Sequence, residues 1–428
     1  MLAPDRVAAL GRAAGAFVAD MGGARRVLVG RDTRESGPWI ARLLADGFRG
    51  AGVAVSDGGI LTTPAIQWLA REERFDLAVV VSASHNPAAD NGIKFFGGDG
   101  RKLPDESELR IEELIDADDG VVVPPRGNLL KDDGAAHRYV DGMRRRLPNL
   151  DLTGKTIVLD CAHGAATEIG PELLRRFGAE VVVRHASPDG RNINENAGVF
   201  AVKAMAPDVA ARKACLGIAL DGDADRVLLL DEQGVERDGD AILGVLARDL
   251  HARNGLAGAR LITTVMSNFG LKHFLRAVGI AVEVTPVGDR YVAQRMATTG
   301  TVLGGEQSGH IIFREGDVWS GDGLYAALRV LDVIMRRRLP LSSLLEGFET
   351  FPQILENVHA KVRIPSEEIP GLQAAIEKAQ ALLGDDGRVF IRWSGTEALL
   401  RVMVEGRDRP LVERLVADLV AAARAGLA

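Results

Sequence analysis

Apolar runs and amphipathic patterns alternate along the first three quarters of the chain in an order that occurs three times. The first repeat has an apolar run at 27–30, a helical pattern over 38–50 and a second apolar run at 53–55. The same order recurs over 156–183 and 261–287. Each repeat reads as a strand, a crossover helix and a parallel strand. The pattern predicts three similar α/β domains with mixed or mostly parallel sheets and helices on both faces.

The last part of the chain, from about residue 351, follows a different plan. Strand-like runs lie at 359–364, 388–392 and 399–404, and helical spacing covers 369–383 and 410–425. These elements predict a small α+β domain. The predicted domains are therefore 1–135, 136–236, 237–350 and 351–428.

A serine follows the buried strand predicted at Leu77–Val81. Ser84 stands beside His85 and Asn86, in a turn that Pro87 fixes. A serine in this position is commonly a turn former, so its role as a nucleophile is a hypothesis. The polar loops that follow other strands strengthen this hypothesis, because ligands in such sheets collect at the carboxyl ends of strands.

Three aspartates occupy alternate positions between the apolar runs 217–220 and Val227–Leu230. Asp221, Asp223 and Asp225 offer hard oxygen ligands, and three close carboxylates require a cation or a strong basic partner. A calcium loop with Glu232 as its last ligand is one alternative, but Arg226 stands where such a loop needs glycine. An aspartyl-phosphate enzyme with Asp221 as the nucleophile is another.

Two further loops have the chemistry of sugar and phosphate binding. In the loop 305–310, Glu306 can accept hydrogen bonds from vicinal hydroxyls, with Ser308 and His310 as additional donors. In the C-terminal domain an anion cradle is predicted from two arginines and the short donors between them, namely Arg392, Ser394, Gly395, Thr396 and Arg401. A hairpin turn with surface arginines is the alternative for this second loop.

Composition restricts the class of partner. The 428 residues are 46% hydrophobic and 26% charged, with a net charge of -7, which argues against a general nucleic-acid or anionic-membrane binder. The two cysteines, Cys161 and Cys215, lie among apolar neighbours, as in a reducing compartment. With no membrane-length apolar run and no signal-peptide pattern at the start, we expect a cytoplasmic protein whose partner is a small molecule. The choice between a monomer and a homodimer stays open.

The ordered motifs resemble those of the α-D-phosphohexomutase superfamily, and among its members they are similar to bacterial phosphoglucosamine mutases. The matching segments are 82–87 with 90–96, 221–226, 287–292, 305–310 and 392–406. The resemblance covers nearly the whole chain. It implies four domains around a central cleft and an enzyme that interconverts glucosamine 6-phosphate and glucosamine 1-phosphate.

The resemblance also implies the roles of individual residues. Ser84 would carry phosphate as phosphoserine, and Mg²⁺ would be held by that phosphate and by Asp221, Asp223 and Asp225. Glu306 and Ser308 would read the sugar, and the loop 392–401 would hold the phosphate that does not react.

The charge of this site suggests a mechanism. Mg²⁺, Arg226, Lys94 and His85 would offset the charge of phosphoserine and the aspartates. A sugar hydroxyl would attack the phosphoryl group in line, with Lys94 taking its proton and His85 and His310 assisting. The glucosamine 1,6-bisphosphate so formed would turn over in the cleft and return its other phosphate to Ser84.

Two departures from the superfamily pattern affect these expectations. The opening strand of the superfamily has no counterpart, since the chain begins at a helix near Val7. We therefore expect residues 27–30 to lack a partner near the sheet edge and the first domain to open easily. Ala398 and Ala224 stand where proline and glycine are common, and neither change removes a functional side chain.

Three alternatives stay open at this point. A phosphomannomutase or phosphoglucomutase of the same superfamily is one, although Gln307 and the segment 394–396 favour the glucosamine enzyme by resemblance. A metal-dependent phosphatase that uses Asp221 is the second. The third is a non-catalytic sugar-phosphate binding protein.

Overall fold

The computed structural model describes residues 2–118, 120, 121, 124, 127–315, 318–360, 363–394 and 398–427. Within these residues, three five-stranded sheets and one three-stranded sheet follow one another. This arrangement confirms the predicted fold class of three α/β domains with mixed sheets and a C-terminal α+β domain.

The first sheet has the strand order β4-β3-β1-β2-β5. Its strands are β1 (Arg26–Arg31), β2 (Ala54–Ile60), β3 (Leu77–Val81), β4 (Ile93–Gly97) and β5 (Leu129–Lys131). The helices of this domain are α1 (Pro4–Asp20), α2 (Gly37–Gly50), α3 (Thr63–Glu72) and α4 (Asp105–Asp116). All five residues of β3 are buried, as expected for a β-branched strand covered on both faces. Leu77 and Val79 enter one apolar cluster, while Ala78 and Val80 enter the other.

The expectation of an open edge at residues 27–30 is wrong. β1 is the central strand of the first sheet, and it pairs in parallel with β2 on one side and β3 on the other. The sequence argument placed this strand at the edge because it considered only the strand that precedes it along the chain. Parallel crossovers instead supply both partners from later segments.

The second sheet has the order β10-β9-β8-β6-β7. The elements of this domain are α5 (Ala135–Arg146), β6 (Thr156–Asp160), α6 (Ala166–Arg176), β7 (Glu180–Arg184), α7 (Ala206–Arg212), β8 (Leu216–Leu220), β9 (Val227–Leu230) and β10 (Glu236–Arg237), with 3-10 turns at Gly198–Phe200 and Val202–Met205. β8 and β9 are antiparallel, and Leu220 pairs with Val227. Residues 221–226 therefore form the loop of a hairpin.

The third sheet has the order β12-β11-β13-β14-β15. The elements are α8 (Gly239–Ala252), β11 (Arg260–Thr264), α9 (Phe269–Arg276), β12 (Ala281–Thr285), α10 (Asp289–Thr299), β13 (Leu303–Gly305), β14 (Ile311–Glu315), β15 (Val318–Gly321), α11 (Gly323–Arg337) and α12 (Leu341–Leu344). β13 and β14 are antiparallel, with Gly305 opposite Ile311, so the predicted sugar loop is also a hairpin loop.

The C-terminal sheet has the order β16-β18-β17, all antiparallel. Its elements are β16 (Gln353–His359), α13 (Leu372–Leu383), β17 (Gly387–Trp393), β18 (Leu399–Gly406) and α14 (Arg409–Leu427). The strand predicted at 359–364 does not match the described residues, because β16 ends at His359 and residues 360, 363 and 364 are not in a strand. Residues 361 and 362 of this prediction lie outside the described residues. Most side chains of β16 are exposed and Leu355 is half exposed, so this strand lacks the clean apolar alternation that the prediction required.

The chain divides into two compact units, and one segment of the third repeat belongs to a different unit from the rest of that repeat. Residues Met1–Val265 and Glu283–Glu346 form one unit, and Met266–Val282 and Gly347–Ala428 form the other. In the second unit, Glu405 accepts a hydrogen bond from the backbone N–H of Phe269 at 2.8 Å, and Asn268 donates to the Phe351 carbonyl at 3.1 Å. The helix α9 therefore belongs with the C-terminal sheet. Among the described helices, none combines the length and apolar character needed to cross a membrane.

Candidate active site

The Ser84 loop begins where the buried strand β3 ends. Ser84 is buried, and its hydroxyl donates a hydrogen bond to Asp221 Oδ2 at 2.7 Å. Its backbone N–H donates to Ser82 Oγ at 3.0 Å, and the Ser82 hydroxyl in turn donates to Asp32 Oδ2 at 2.6 Å. The predicted nucleophile is thus fixed at both its backbone and its side chain, directly beside the predicted metal loop.

The three aspartates of the β8–β9 hairpin converge. One ligand oxygen from each of Asp221, Asp223 and Asp225 lies within 4.8 Å of the other two. Asp221 and Asp223 are fully buried. The convergence arises in the loop that joins the antiparallel strands β8 and β9.

The charge of the cluster requires cations. Burial, together with the carboxylates of Asp225 and Asp223, raises the pKa of Asp221 well above its ordinary value. Burial also acts to raise the pKa of Asp225, but the Lys94 ammonium and the His310 imidazole hold that pKa below the ordinary value. Burial and mutual repulsion therefore oppose three negative charges in this cluster unless nearby cations offset them.

Two carboxylate oxygens in this cluster have no hydrogen-bond partner among the described residues. Asp223 Oδ1 and Asp225 Oδ1 are buried and accept no hydrogen bond from any residue that the structure describes. Buried polar atoms of this kind normally have a partner, so oxygens left free at a converging set of acceptors fit a hard divalent cation. The residues present therefore fit Mg²⁺.

Calcium binding by an EF-hand loop is excluded by the flanking elements. Strands, not helices, precede and follow the acidic loop. Glu232, the residue at the last ligand position of such a loop, instead accepts hydrogen bonds from Ser342.

Lys94 lies on β4 and contacts the metal loop. Its ammonium donates to Asp223 Oδ2 at 2.7 Å and lies 3.7 Å from Asp225 Oδ2. Burial opposes the charge of Lys94, yet Asp223 and Asp225 raise its pKa above the ordinary value. These contacts favour the protonated form of Lys94, and its role as proton acceptor stays a prediction.

His85 differs from Lys94, because its surroundings favour the neutral form of the side chain. Burial and the nearby Arg226 guanidinium lower the pKa of His85, which keeps the imidazole neutral at neutral pH. The Nδ1 atom of His85 is buried without a hydrogen-bond partner among the described residues. The ring lines an open cleft of about 680 Å³ together with Asn194 and Phe200. A neutral imidazole in this position can accept a proton.

Arg226 closes the acidic loop at its C-terminal end. Its backbone N–H donates to Asp221 Oδ1 at 3.2 Å, and its Nε atom is buried without a partner in the described part of the chain. This leaves a guanidinium N–H beside the cluster that can meet an anionic ligand.

The loop 305–310 is fastened at both ends. Glu306 Oε1 accepts a hydrogen bond from the Gly288 N–H at 3.1 Å, and the Gly309 carbonyl accepts one from the Val227 N–H at 3.0 Å. Ser308 is exposed, whereas Glu306 is half-buried. The second bond joins the predicted sugar loop to the strand that follows the acidic loop.

His310 lies in a different environment from its neighbours in this loop. It is buried, with Nδ1 3.7 Å from Asp225 Oδ1 and Nε2 3.8 Å from Asp289 Oδ2. Asp225 and Asp289 raise the pKa of His310 although burial opposes its charge. The structure therefore directs His310 toward two carboxylates, while its predicted contact with substrate stays a prediction.

The predicted phosphate cradle is at the β17–β18 hairpin. Arg392 and Arg401 are directly opposite each other in the register of the two strands. Like charges in opposite positions destabilise a hairpin, and an anion between them removes that repulsion. Ser394 is buried and its N–H donates to the Leu399 carbonyl at 2.8 Å. The remaining members of this prediction, Gly395 and Thr396, lie outside the described residues.

Several residues that contact the site were not predicted from sequence. Thr63, at the start of α3, donates its hydroxyl to Asp223 Oδ2 at 2.6 Å and its N–H to the Asp223 carbonyl at 3.0 Å. Asp289 faces His310 and forms an ion pair with Lys102, with 2.7 Å between Lys102 Nζ and Asp289 Oδ2. A signal was available only for Asp289, which lies in the segment 287–292 that carried part of the resemblance.

Comparison with known proteins finds relatives along nearly the whole chain. The families described as Phosphoglucomutase/phosphomannomutase, alpha/beta/alpha domains I, II and III, match residues 1–121, 137–234 and 238–351. The C-terminal domain of the same family matches residues 357–422. A phosphoglucosamine mutase from Symbiobacterium thermophilum is 44% identical over 431 residues, which cover 100% of this chain and 96% of the relative. The chain belongs to the phosphoglucosamine mutase family.

Solved structures share the architecture of this family. A phosphoglucomutase/phosphomannomutase family protein from Burkholderia thailandensis is similar with a TM-score of 0.79 and 27% identity, covering 99% of this chain and 94% of the other. An N-acetylphosphoglucosamine mutase from Aspergillus fumigatus, in complex with GlcNAc-6P and magnesium, has a TM-score of 0.59 and 20% identity, covering 86% of this chain and 93% of the other.

Proposed function

We propose that this protein interconverts glucosamine 6-phosphate and glucosamine 1-phosphate through a phosphoserine at Ser84. The observation that carries this proposal is the 2.7 Å hydrogen bond between the Ser84 hydroxyl and Asp221, inside a cluster of three converging carboxylates. Membership in the phosphoglucosamine mutase family supports the choice of amino sugar.

Mg²⁺ is the cation proposed for this site. Asp221, Asp223 and Asp225 would hold it, together with the phosphate on Ser84. When bound, Mg²⁺ supplies charge neutralisation and activation of the phosphoryl group. Asp223 Oδ1 and Asp225 Oδ1, which accept no hydrogen bond among the described residues, and the raised pKa of Asp221 support this assignment.

The proposed chemistry consists of two phosphoryl transfers, and each transfer moves a different phosphate. In the first step the bond between phosphorus and Ser84 Oγ breaks, and a bond from a sugar hydroxyl oxygen to phosphorus forms. The hydroxyl proton passes to a base, and the product is glucosamine 1,6-bisphosphate. In the second step Ser84 Oγ bonds to the other phosphorus of this bisphosphate, and the bond between that phosphorus and its sugar oxygen breaks. The base returns its proton to that sugar oxygen, and the isomeric monophosphate is released.

Lys94 and His85 are the two candidates for the base that accepts the hydroxyl proton. Lys94 was predicted for this role, but its contacts with Asp223 and Asp225 favour the ammonium form. Burial and the Arg226 guanidinium lower the pKa of His85, and a neutral imidazole can accept a proton. We propose that His85 takes the proton and that Lys94 and Arg226 balance the negative charge of phosphoserine and aspartates.

Substrate binding is proposed for two loops. Glu306 and Ser308 would recognise sugar hydroxyls, and His310 would hold Asp225 in place. The cradle formed by Arg392, Ser394, Gly395, Thr396 and Arg401 would bind the phosphate that does not react. The opposed arginines of this hairpin support the second role.

Broader features of the protein stay proposals. The domain boundaries 1–135, 136–236, 237–350 and 351–428 are supported by the ranges matched by the four family domains. A reducing, cytoplasmic location is supported by the two free cysteines. A homodimer, and the absence of nucleic-acid or membrane partners, also stay predictions.

Turnover of paired substrates tests the proposed function. The protein would be incubated with Mg²⁺, a small amount of hexose 1,6-bisphosphate and glucosamine 6-phosphate, and the 1-phosphate measured by ³¹P NMR. Glucose and mannose phosphates would be assayed in parallel, and Ser84→Ala would serve as the inactive control. We expect the largest kcat/KM for glucosamine phosphate and its loss in the control.

The alternative functions predict other results. A phosphomannomutase or phosphoglucomutase would give a larger kcat/KM with mannose or glucose phosphate. A phosphatase would release inorganic phosphate in place of the isomer. A binding protein would bind the sugar phosphate without turnover.

A further inference from the structure

The backbone of Ser84 has an unfavourable conformation. Its φ angle is 49°, in the left-handed region that a serine rarely adopts. Such a conformation is strained and persists only where surrounding contacts hold it. The contacts that hold the Ser84 backbone therefore also help to orient its hydroxyl toward Asp221.

The first of these contacts comes from Arg34, in the loop after β1. Arg34 is completely buried and forms an ion pair with Asp32 at 2.9 Å. Its guanidinium also donates to the backbone carbonyls of Ser84 at 3.0 Å and Asn86 at 2.9 Å. Further donation to the carbonyls of Pro87 and Asp90 extends this contact across the whole turn. A planar fork of five N–H groups can serve so many acceptors, whereas a lysine ammonium cannot.

The second contact comes from the neighbouring domain. Asn194 follows β7, is buried, and donates its side-chain amide to the Ser84 carbonyl at 2.9 Å and to the Asn86 carbonyl at 3.1 Å. The backbone N–H of Asn194 donates to the Ala162 carbonyl at 2.9 Å, which ties the residue to its own domain. The same two carbonyls are thus held from both the first and the second domain.

We propose that Arg34 and Asn194 are positioning residues that fix the Ser84 and Asn86 carbonyls and so aim the Ser84 hydroxyl at Asp221. This inference rests on the proposed function. Neither side chain needs to touch substrate, because both bond to the peptide backbone that carries the nucleophile. The carbonyl of Ser84 also lies against the acidic loop, where a Cβ on Gly222 would stand 2.6 Å from it. Loss of either contact lets the serine move relative to Asp221.

Asn194→Gly tests the side-chain amide without straining the backbone. Asn194 has a φ of 63°, a value that glycine adopts without strain, so the substitution removes the two donors alone. Asn196→Gly is the matched control, since Asn196 has a φ of 48° in the same loop but is exposed. We expect Asn194→Gly to lower kcat about 10- to 100-fold, because a displacement of about 1 Å costs on the order of 100-fold. KM for the sugar phosphate should change by less than about 3-fold, since binding groups are untouched.

Arg34→Lys tests the other contact. Its control is Arg336→Lys, which weakens the ion pair of Arg336 with the buried Asp249 at 2.8 Å. Both variants should lower the melting temperature, but only Arg34→Lys should lower kcat. If Arg34→Lys does not fold, the result for Asn194→Gly alone tests the positioning role.

Phosphorylation of Ser84, measured by intact mass after addition of hexose 1,6-bisphosphate, provides a readout besides turnover. All assays would be performed well below the melting temperature. We expect the phosphorylation rate of Asn194→Gly to fall by the same factor as kcat, with Asn196→Gly unchanged. A wild-type rate in Asn194→Gly, or an equal loss in Asn196→Gly, would overturn the positioning role while wild-type mutase activity stands. Wild-type protein without mutase activity would reject the proposed function, and this inference with it.

Discussion

At the residue scale, the candidate site combines groups that the sequence identified with groups that it could not identify. Ser84 and the three aspartates were predicted because each follows an apolar strand and bears a reactive or ligating group. Thr63 was not predicted, because a threonine at the start of a helix is ordinary and its bond to Asp223 joins positions 160 residues apart. Only the fold brings such pairs together.

The charge of the acidic cluster leads to a prediction about metal affinity. Asp223→Asn removes one anionic ligand from the proposed Mg²⁺ site, and ligand charge is what sets the affinity of a hard cation. We expect the Mg²⁺ concentration at half-maximal activity to rise about 10-fold or more, and isothermal titration with Mn²⁺ to show the same weakening. An unchanged Mn²⁺ affinity together with activity that survives chelation would remove the metal from this account.

The opposed arginines lead to a prediction about substrate affinity. Arg392→Ala removes a charge-assisted contact worth about 1.5–3 kcal/mol, so KM for both monophosphates should rise about 10- to 150-fold. Arg407→Ala, which removes the exposed ion pair with Glu349 in the same unit, is the control and should leave KM unchanged. A change in sugar preference with KM intact would assign the phosphate to another loop.

At the element scale, the sequence predicted buried strands well and exposed strands poorly. β3 and β9 have the bounds that their apolar runs predict, since burial on both faces leaves a continuous apolar signal. β16 was misplaced because only Val358 in it is buried. The position of β1 at the centre of its sheet was also missed, since strand order depends on crossovers between distant segments.

The close approach of the serine and metal loops is tested at Gly222. A Cβ at this position would stand 2.6 Å from the Ser84 carbonyl and 2.8 Å from Ile193 Cδ1, so Gly222→Ala must push the two loops apart. We expect kcat to fall about 100-fold with little change in KM. In the control Gly255→Ala the new Cβ meets its nearest neighbour at an ordinary 3.4 Å, and turnover should be kept. Equal turnover in the two variants would show that the loops tolerate the separation.

At the scale of the whole molecule, the repeat pattern predicted the fold class but not the composition of the two compact units. The segment Met266–Val282, which includes α9, associates with the C-terminal sheet although it lies within the third repeat. The bonds responsible join Phe269 to Glu405 and Asn268 to Phe351, and no local pattern of apolar residues encodes them.

This association predicts how the molecule opens. Val404→Ala destabilises the C-terminal core, where Val404 is fully buried. We expect hydrogen exchange to accelerate in α9 together with β16–β18, and to stay unchanged in α11, because cooperative units open together. If exchange in α9 instead follows α11, the helix opens with the third domain and the division into units is incorrect.

The central claim, that Ser84 is the residue that carries phosphate, is tested most directly by mapping the phosphorylation site. The protein would be incubated with hexose 1,6-bisphosphate and Mg²⁺, digested at low pH and analysed by tandem mass spectrometry. Our account predicts phosphate on the peptide that contains Ser84, and no phosphorylation in Ser84→Ala. Phosphate on the peptide that contains Asp221, with Ser84 unmodified, would contradict it.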